Sequence, residues 1–557
     1  MSHWTVAPVV LPAMLAAFIL LATRFHAPMQ RVFSVAGTVA LIAIAVGLFV
    51  QASGGDVSIY QLGDWQAPFG IVLVADRLST MMVLLTAVLA FFVLLHAIGT
   101  GWDTRGRHFH ALFQFQLMGI MGAFLTGDVF NLFVFFEVLL IASYGLMIHS
   151  GGTQRTHAGT QYVLYNLLGS TLFLFALGLI YAETGTLNMA DLAQRVQAID
   201  PSQSSGIRTA AVLLVIVFAI KAGIAPVHFW LPASYANAPG PVAALFAIMT
   251  KVGAYAIIRI YTLVFGPDLG VAQGLLDTWL MPLALIGLAV GMIGVLGAVR
   301  LDRMVAFAVI GSMGMLTVAM SLFTETGIAA ALYYVVHSTL ATAALFLIVD
   351  LVAEHRGRTG AELRRAKPIP GANILAAFFF ASAIAMTGLP PLSGFLGKLL
   401  ILDAAFDSPQ VVWAWAVILS TSLVAVVGFS RAGSTVFWKA REAVEDLEDD
   451  PGTEMDNVDS KPKAHPERQP VLPLVAIGGL IALIVAHTVL AGPINRFMAA
   501  TSAQLFAPEP YITTVLETEG KKISYDGGHG SDDHGTEAAG EHGSEMTPGA
   551  EEEAGGH

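Results

Sequence analysis

Apolar runs long enough to cross a bilayer, about 17 to 25 residues each, recur along nearly the whole chain. They fall at 5–23, 32–51, 79–98, 109–126, 129–148, 160–182, 209–237, 241–265, 276–299, 303–323, 327–352, 371–406, 411–438 and 471–493. Only helices or closed barrels satisfy their backbone groups in hydrocarbon, and runs of this length without strict alternation select helices. The pattern predicts an all-α polytopic membrane protein with about 14 transmembrane helices. With 55% hydrophobic and 12% charged residues in 557, a soluble fold is excluded. The first run lacks a basic segment before it and a small-residue cleavage site after it, so it is read as a retained helix.

Two of the runs, 209–237 and 371–406, exceed one span and contain prolines: Ala225-Pro-Val-His-Phe-Trp-Leu-Pro232 and Gly388-Leu-Pro-Pro-Leu-Ser-Gly394. Proline removes an amide donor and clashes with the preceding turn, so both helices are expected to break, at Pro226 and at Pro390 and Pro391. Each broken run is fourth in a group of five, which suggests two inverted five-helix repeats of the kind found in transporters. The expected organisation is three N-terminal helices (1–100), a first repeat (101–266), a second repeat (267–440), an acidic linker (441–470), a last helix (471–506) and an acidic, His-rich disordered tail (507–557). From Asp526 onward that tail holds nine acids, four histidines and no lysine or arginine. It is too polar to offset chain entropy by burial.

Basic residues fall in alternate loops: Arg24 and Arg31, Arg105 and Arg107, Arg155, Arg300 and Arg303, Arg356 to Lys367, and Lys439 to Arg468. Intervening loops are acidic or poor in lysine and arginine. By the positive-inside rule the basic loops are cytoplasmic and both termini lie outside the cytoplasm.

Against this background the ionisable residues inside the runs stand out. Glu137 sits in Phe130-Asn-Leu-Phe-Val-Phe-Phe-Glu-Val-Leu-Leu-Ile-Ala-Ser143, and Lys221, Lys251, His337 and Lys398 occupy other runs. A charge at bilayer depth costs on the order of 3 kcal/mol or more and is kept mainly to move ions or protons. Lys221, five residues before Pro226, is the expected partner of Glu137, because unwound backbone admits water there. Such a pair could switch as a proton arrives nearby; the plain alternative is a static ion pair between two helices. Lys251, His337 in its hydroxyl-rich setting Tyr333-Tyr-Val-Val-His-Ser-Thr-Leu340, and Lys398 just after the second break are expected relay stations. For His337 the alternative is polar glue between helices. His228, between two prolines, could gate the path or cap a half-helix. Asp128, about 13 Å along the helix from Glu137, is expected near the outer mouth.

The chain has no cysteine, which excludes disulfides, cysteine-ligated iron–sulfur clusters and thiolate metal sites. Dinucleotide, P-loop and His-Glu-x-x-His motifs are also absent. No cofactor, no metal site, no nucleic-acid partner and no catalysis on a small molecule are expected.

Three stretches carry a family resemblance. Thr126-Gly-Asp-Val-Phe-Asn-Leu-Phe-Val-Phe-Phe-Glu-Val-Leu-Leu-Ile-Ala-Ser-Tyr144, Lys221-Ala-Gly-Ile-Ala-Pro-Val-His-Phe-Trp-Leu-Pro232 with Ala238-Pro-Gly-Pro-Val-Ala-Ala-Leu245, and Gly388-Leu-Pro-Pro-Leu-Ser-Gly-Phe-Leu-Gly-Lys398 resemble the antiporter-like subunits shared by respiratory complex I and Mrp-type (Mnh, Pha) cation/proton antiporters. Within that superfamily the chain is similar to the D-type component of the Mrp complex. The resemblance implies a fourteen-helix fold with two inverted repeats, Glu137 and Lys221 as a coupled pair, Lys251 as the connecting lysine, and His337 and Lys398 as the second half-channel. It further implies one component of a multisubunit Na⁺/H⁺ antiporter of a bacterial cell membrane, driven by the proton motive force and serving pH homeostasis with other subunits as partners. A lysine at Lys398 favours Mrp over the complex I subunit of the M type, which carries glutamate there. The rival readings are a proton-pumping membrane subunit of complex I or of a membrane-bound hydrogenase, and a scaffold whose charges are vestigial. The acidic tail matches no part of the family pattern.

Overall fold

The computed structural model describes residues 3–267, 269–276, 278–366, 368–439 and 470–521. Residues 1–520 form one compact unit; of the second, 521–557, only Lys521 is among the described residues. The linker 441–469 and the tail from 522, including its histidines, lie outside them.

The first unit is built from α1 (Ala7–Ala22), α2 (Ala27–Ser53), α3 (Arg77–Gly99), α4 (Phe109–Leu125), α5 (Val129–Met147), α6 (Thr153–Thr184) and α7 (Met189–Gln197). It continues with α8 (Ser205–Ala222), α9 (Trp230–Asn237), α10 (Gly240–Leu263), α11 (Leu280–Gly297), α12 (Leu301–Ser321) and α13 (Glu325–His355). It ends with α14 (Ala372–Thr387), α15 (Ser393–Ala404), α16 (Val411–Gly433), α17 (Val471–Val489), α18 (Ala491–Phe506) and α19 (Glu509–Glu517). A short antiparallel hairpin, β1 (Ser58–Gln61) and β2 (Val72–Ala75), joins α2 to α3. Among the described residues, eleven helices are long and apolar enough to span a membrane, and α1, α4 and α14 are shorter apolar helices. The chain is a multi-pass helical membrane protein.

Local chemistry sets the helix ends. Asp76 caps α3 by accepting from the Ser79 amide at 2.9 Å while the Ser79 hydroxyl accepts from the Asp76 amide, so two otherwise orphaned donors are satisfied. The long run 209–237 divides into α8 and α9, with Pro226 in the gap, and 371–406 divides into α14 and α15, with Pro390 and Pro391 in theirs. Each first half-helix ends on a glycine in the left-handed region, Gly223 at φ +66° and Gly388 at φ +75°, a conformation that penalises any side chain.

Burial separates the helices by role. All of α10 except its first residue is buried, and α13 nearly so, whereas α1, α2, α6 and α16 keep broad apolar faces exposed. Helix α10 packs on α8 and α13. Gly253 makes the approach to α8 possible, since a Cβ there would meet the Ala222 amide nitrogen at 2.7 Å and the Phe218 carbonyl at 2.8 Å.

Two boundaries differ from the sequence expectation. The segment 471–506 is two helices, α17 and α18, meeting at Leu490, and disorder does not begin at residue 507. Helix α19 occupies Glu509–Glu517 with Tyr511, Ile512 and Val515 buried. These three side chains bury apolar area that composition averaged over the acidic tail conceals. The hairpin and α7 lie outside the sequence expectation as well, because they are too short to register as membrane runs.

Candidate functional site

The intramembrane charges lie on α5, α8, α10, α13 and α15. On α8, Lys221 is held by neutral oxygens at long range: its Nζ is 3.4 Å from Asn166 Oδ1 and 3.5 Å from Ser170 Oγ, both on α6. The same Ser170 hydroxyl donates to Glu137 on α5. The expected direct contact between Glu137 and Lys221 is therefore not formed; Ser170 stands between them. The reason lies in helix order, since α6 packs against both α5 and α8 and presents Tyr162, Asn166 and Ser170 at four-residue spacing, one stripe of a helix. Lys221 also lies 6.0 Å from the Phe136 ring centroid. Helix α8 ends one residue later, so the lysine occupies the C-terminal turn, where the helix dipole favours a cation.

Beside Lys221 lies a cavity of about 20 Å³ lined by Tyr162, Asn166, Lys221, Trp230, Met249 and Val252 among others. That volume and its polar atoms suit about one water. The cavity reaches α10, where Lys251 is wholly buried and has only the Thr250 hydroxyl of its own helix, at 3.5 Å, as a hydrogen-bond partner.

Beyond Lys251, His337 on α13 is wholly buried. Its Nδ1 lies 2.8 Å from the Ser393 hydroxyl, at the start of α15, and its Nε2 has no hydrogen-bond partner. Gly394 permits this approach, since a Cβ there would meet Nε2 at 2.9 Å. Lys251, Lys398 and His487 of α17 are all near enough for their charges to act on the His337 ring. Lys398 on α15 donates to the Thr387 carbonyl at 2.6 Å and to the Ser422 hydroxyl at 2.7 Å. The carbonyl is free because the break after Thr387 interrupts the helical ladder.

The two residues expected at a gate or mouth are both buried. Asp128 is buried and caps α5, accepting from the Asn131 amide at 2.8 Å, so its carboxylate serves the helix end. His228 is buried in the first break, stacks on the exposed Phe229 ring at 4.6 Å between centroids, and leaves Nδ1 without a partner.

Sequence reasoning named the charges and missed most of the polar groups that hold them: Asn166, Ser170, Thr387, Ser393, Ser422 and His487. For α6 the signal was present, as Asn166 and Ser170 share one face of an apolar run. Thr387, Ser393 and Ser422 lie among many hydroxyls whose positions only the tertiary contacts distinguish. Among the described residues no three histidines or acids are grouped as a metal site would need.

Residues 126–424 match the family described as the NADH:quinone oxidoreductase/Mrp antiporter transmembrane region. The chain belongs to that family. It is 36% identical over 551 residues to the D component of a probable K(+)/H(+) antiporter of Rhizobium meliloti (strain 1021), covering 93% of this chain and 98% of that protein. It is 35% identical over 523 residues to the D component of the Na(+)/H(+) antiporter of Alkalihalophilus pseudofirmus, covering 93% of this chain and all of the relative. Among solved structures, a chain of the Mrp complex from Dietzia sp. DQ12-45-1b superposes with a TM-score of 0.80 at 27% identity, over 93% of this chain and 100% of that one. A chain of respiratory complex I from Thermus thermophilus shares the fold, with a TM-score of 0.73 at 22% identity over 92% of this chain and 99% of the other.

Proposed function

We propose that this chain is the proton-translocating subunit of a multisubunit monovalent cation/proton antiporter, exchanging cytoplasmic Na⁺ or K⁺ for external H⁺ under the proton motive force. The observation that carries the reading is the set of buried lysines with only neutral partners in hydrogen-bond range, Lys221, Lys251 and Lys398, with His337, each on a helix that is broken or wholly enclosed. Static ion pairs would serve stability better than lone ammoniums at this depth. Glu137, Ser170 and Lys221 form the first switching unit: proton movement across the Ser170 hydroxyl alters the charge facing Lys221. Lys251 connects through bound water to His337, and Lys398 closes the second half. His228 borders the first break, where it gates water.

Fourteen spans follow if α1, α4 and α14 cross with the eleven longer helices and each broken pair counts once. The groups α4 to α10 and α11 to α16 are the two inverted repeats. The arginine-bearing loops face the cytoplasm of a bacterial inner membrane, which leaves both termini outside. The curated relatives, similar over nearly their full lengths, favour antiport over a redox-driven pump, for which complex I offers likeness of fold.

The test uses everted vesicles from an antiporter-deficient host expressing the whole operon. Adding NaCl or KCl should collapse a respiration-generated pH gradient with the wild-type chain and fail to do so with an assembled Lys221→Ala complex. Equal collapse in both would support the scaffold reading; no collapse with an assembled wild type would favour the redox pump.

A further inference from the structure

A second polar centre lies outside the line of lysines. A pocket of about 400 Å³ opens among the arginine-bearing loops, with Trp102, Arg155, Asn237, Arg300, Asp302 and Asp350 in its lining. Asp350, near the end of α13, receives the Trp102 indole N–H at 3.0 Å and contacts His96 Nε2 of α3 at 2.9 Å. His96 is wholly buried and its Nδ1 has no hydrogen-bond partner.

The cations around this carboxylate are engaged elsewhere. Arg155 donates to the Asn237 carbonyl at 2.9 Å and the His149 carbonyl at 3.1 Å, Arg300 pairs with Asp302 at 2.6 Å, and Arg105 pairs with Glu354 while lying over the Trp102 ring at 4.0 Å. Arg105 and Arg155 act on Asp350 through space only. With Nε2–H donated to Asp350, the free Nδ1 of His96 is a vacant base, and an imidazolium formed there would be held by the carboxylate.

Helix α13 joins this pair to the relay. Asp350, Phe346, Thr342 and Ser338 recur at four-residue spacing and so share one stripe. Phe346 lines the pocket, Thr342 is buried with its hydroxyl unpartnered, and Ser338 adjoins His337. From Asp350 to His337 the rise is about 20 Å.

We propose that the pocket is a proton outlet and that His96 and Asp350 are its release pair. A proton arriving from the relay makes the pair imidazolium and carboxylate; the imidazolium then gives one proton to a water in the pocket, which leaves as hydronium, and the pair returns to neutral imidazole and carboxylate. The proton reaches the pair from His337 along the α13 stripe, with Phe346 as the apolar barrier. The inference rests on the antiporter reading above.

The chain has no cysteine, so a single introduced thiol is its only thiol. In everted vesicles carrying Ala353→Cys, on the pocket wall one turn beyond Asp350, a charged, membrane-impermeant methanethiosulfonate should modify the residue. Modification should slow cation-dependent gradient collapse roughly tenfold relative to the same vesicles before reagent, while wild-type vesicles are unaffected. A thiol that stays unmodified, or full modification with an unchanged rate, overturns the outlet. An assembled Asp350→Asn complex should lose a similar factor, and in that background thiol modification at Ala353→Cys should slow the residual rate no further. A wild-type rate in assembled Asp350→Asn, or further slowing on modification, would put Asp350 outside the path and refute the release pair. Absence of antiport in untreated wild type would instead refute the antiporter reading itself.

Discussion

Two kinds of buried charge coexist in this molecule. At the start of α3, Asp76 and Arg259 of α10 form a bidentate pair, with guanidinium nitrogens at 2.6 and 2.8 Å, and Arg259 also lies against the Tyr255 and Tyr511 rings. On α8, α10 and α15, Lys221, Lys251 and Lys398 have only neutral partners within hydrogen-bond range. Arg259 and Lys251 are on the same buried helix, about two turns apart, so the contrast does not come from depth in the fold alone. Where the structure needs a fixed contact it supplies a full counter-charge. Where it leaves an ammonium on hydroxyls and carbonyls, the charge state can change without a stranded partner.

The contrast is broken most directly at the fixed pair. Asp76→Ala strands Arg259 and should destabilise the protein by about 3 to 5 kcal/mol, seen as a large fall in the melting temperature of the detergent-solubilised complex. If that variant melts like wild type, the pair is not a structural anchor. Lys251→Leu is the opposite case: removal of a poorly partnered ammonium should leave the melting temperature unchanged or raised while gradient collapse is lost. A strongly destabilised Lys251→Leu protein would show that this lysine is structural.

Ser170→Ala sharpens the comparison within the axis, because it removes the hydroxyl shared by Glu137 and Lys221 without removing either charge. A hydrogen bond to a charged group contributes roughly 1.5 to 3 kcal/mol, so transport should slow by about tenfold or more, with Ser170→Thr restoring most of it. Transport that is insensitive to this change would mean that the two charged groups communicate by another route. The smallest effect is expected at the fixed cluster in the loop after α3. Burial pushes the Asp103 carboxyl up, but hydrogen bonds from His110 and Arg31 outweigh it and hold the group below the ordinary carboxylate range. A depressed carboxyl contributes stability that is whole above about pH 5 and fades as pH falls through the ordinary value toward the folded one. Melting curves from pH 6 downward should therefore converge for wild type and Asp103→Asn; parallel curves would remove Asp103 from the acid response.

Much of the architecture was legible because bilayer physics leaves few options. Apolar length located the helices, closely at 109–126 against Phe109–Leu125 and less so at 160–182, where α6 starts at Thr153, and the proline clusters coincided with the two gaps. Intramembrane charges were conspicuous for the same reason, since each is costly. The partners of those charges were not legible. Serine and threonine are cheap in a membrane helix because they can bond to their own backbone, so Ser393 and Ser422 carried no more signal than their neighbours, whereas Ser170 shared a helical face with Asn166. The pairing of Glu137 with Lys221 failed as a direct contact because distance along the chain says nothing about which third helix intervenes.

The sequence by itself determined that this chain crosses a membrane many times, where its spans break, and which residues carry charge at depth, because hydrocarbon penalises every exception strongly enough to be read one residue at a time. Only the tertiary structure decided which charges are paired and which are left on neutral oxygens, placed Ser170 between Glu137 and Lys221, and brought His96 to Asp350 across 254 residues of chain. Those outcomes depend on how helices separated in sequence pack side by side, and the energies that select among packings are spread over many small contacts that no single residue announces.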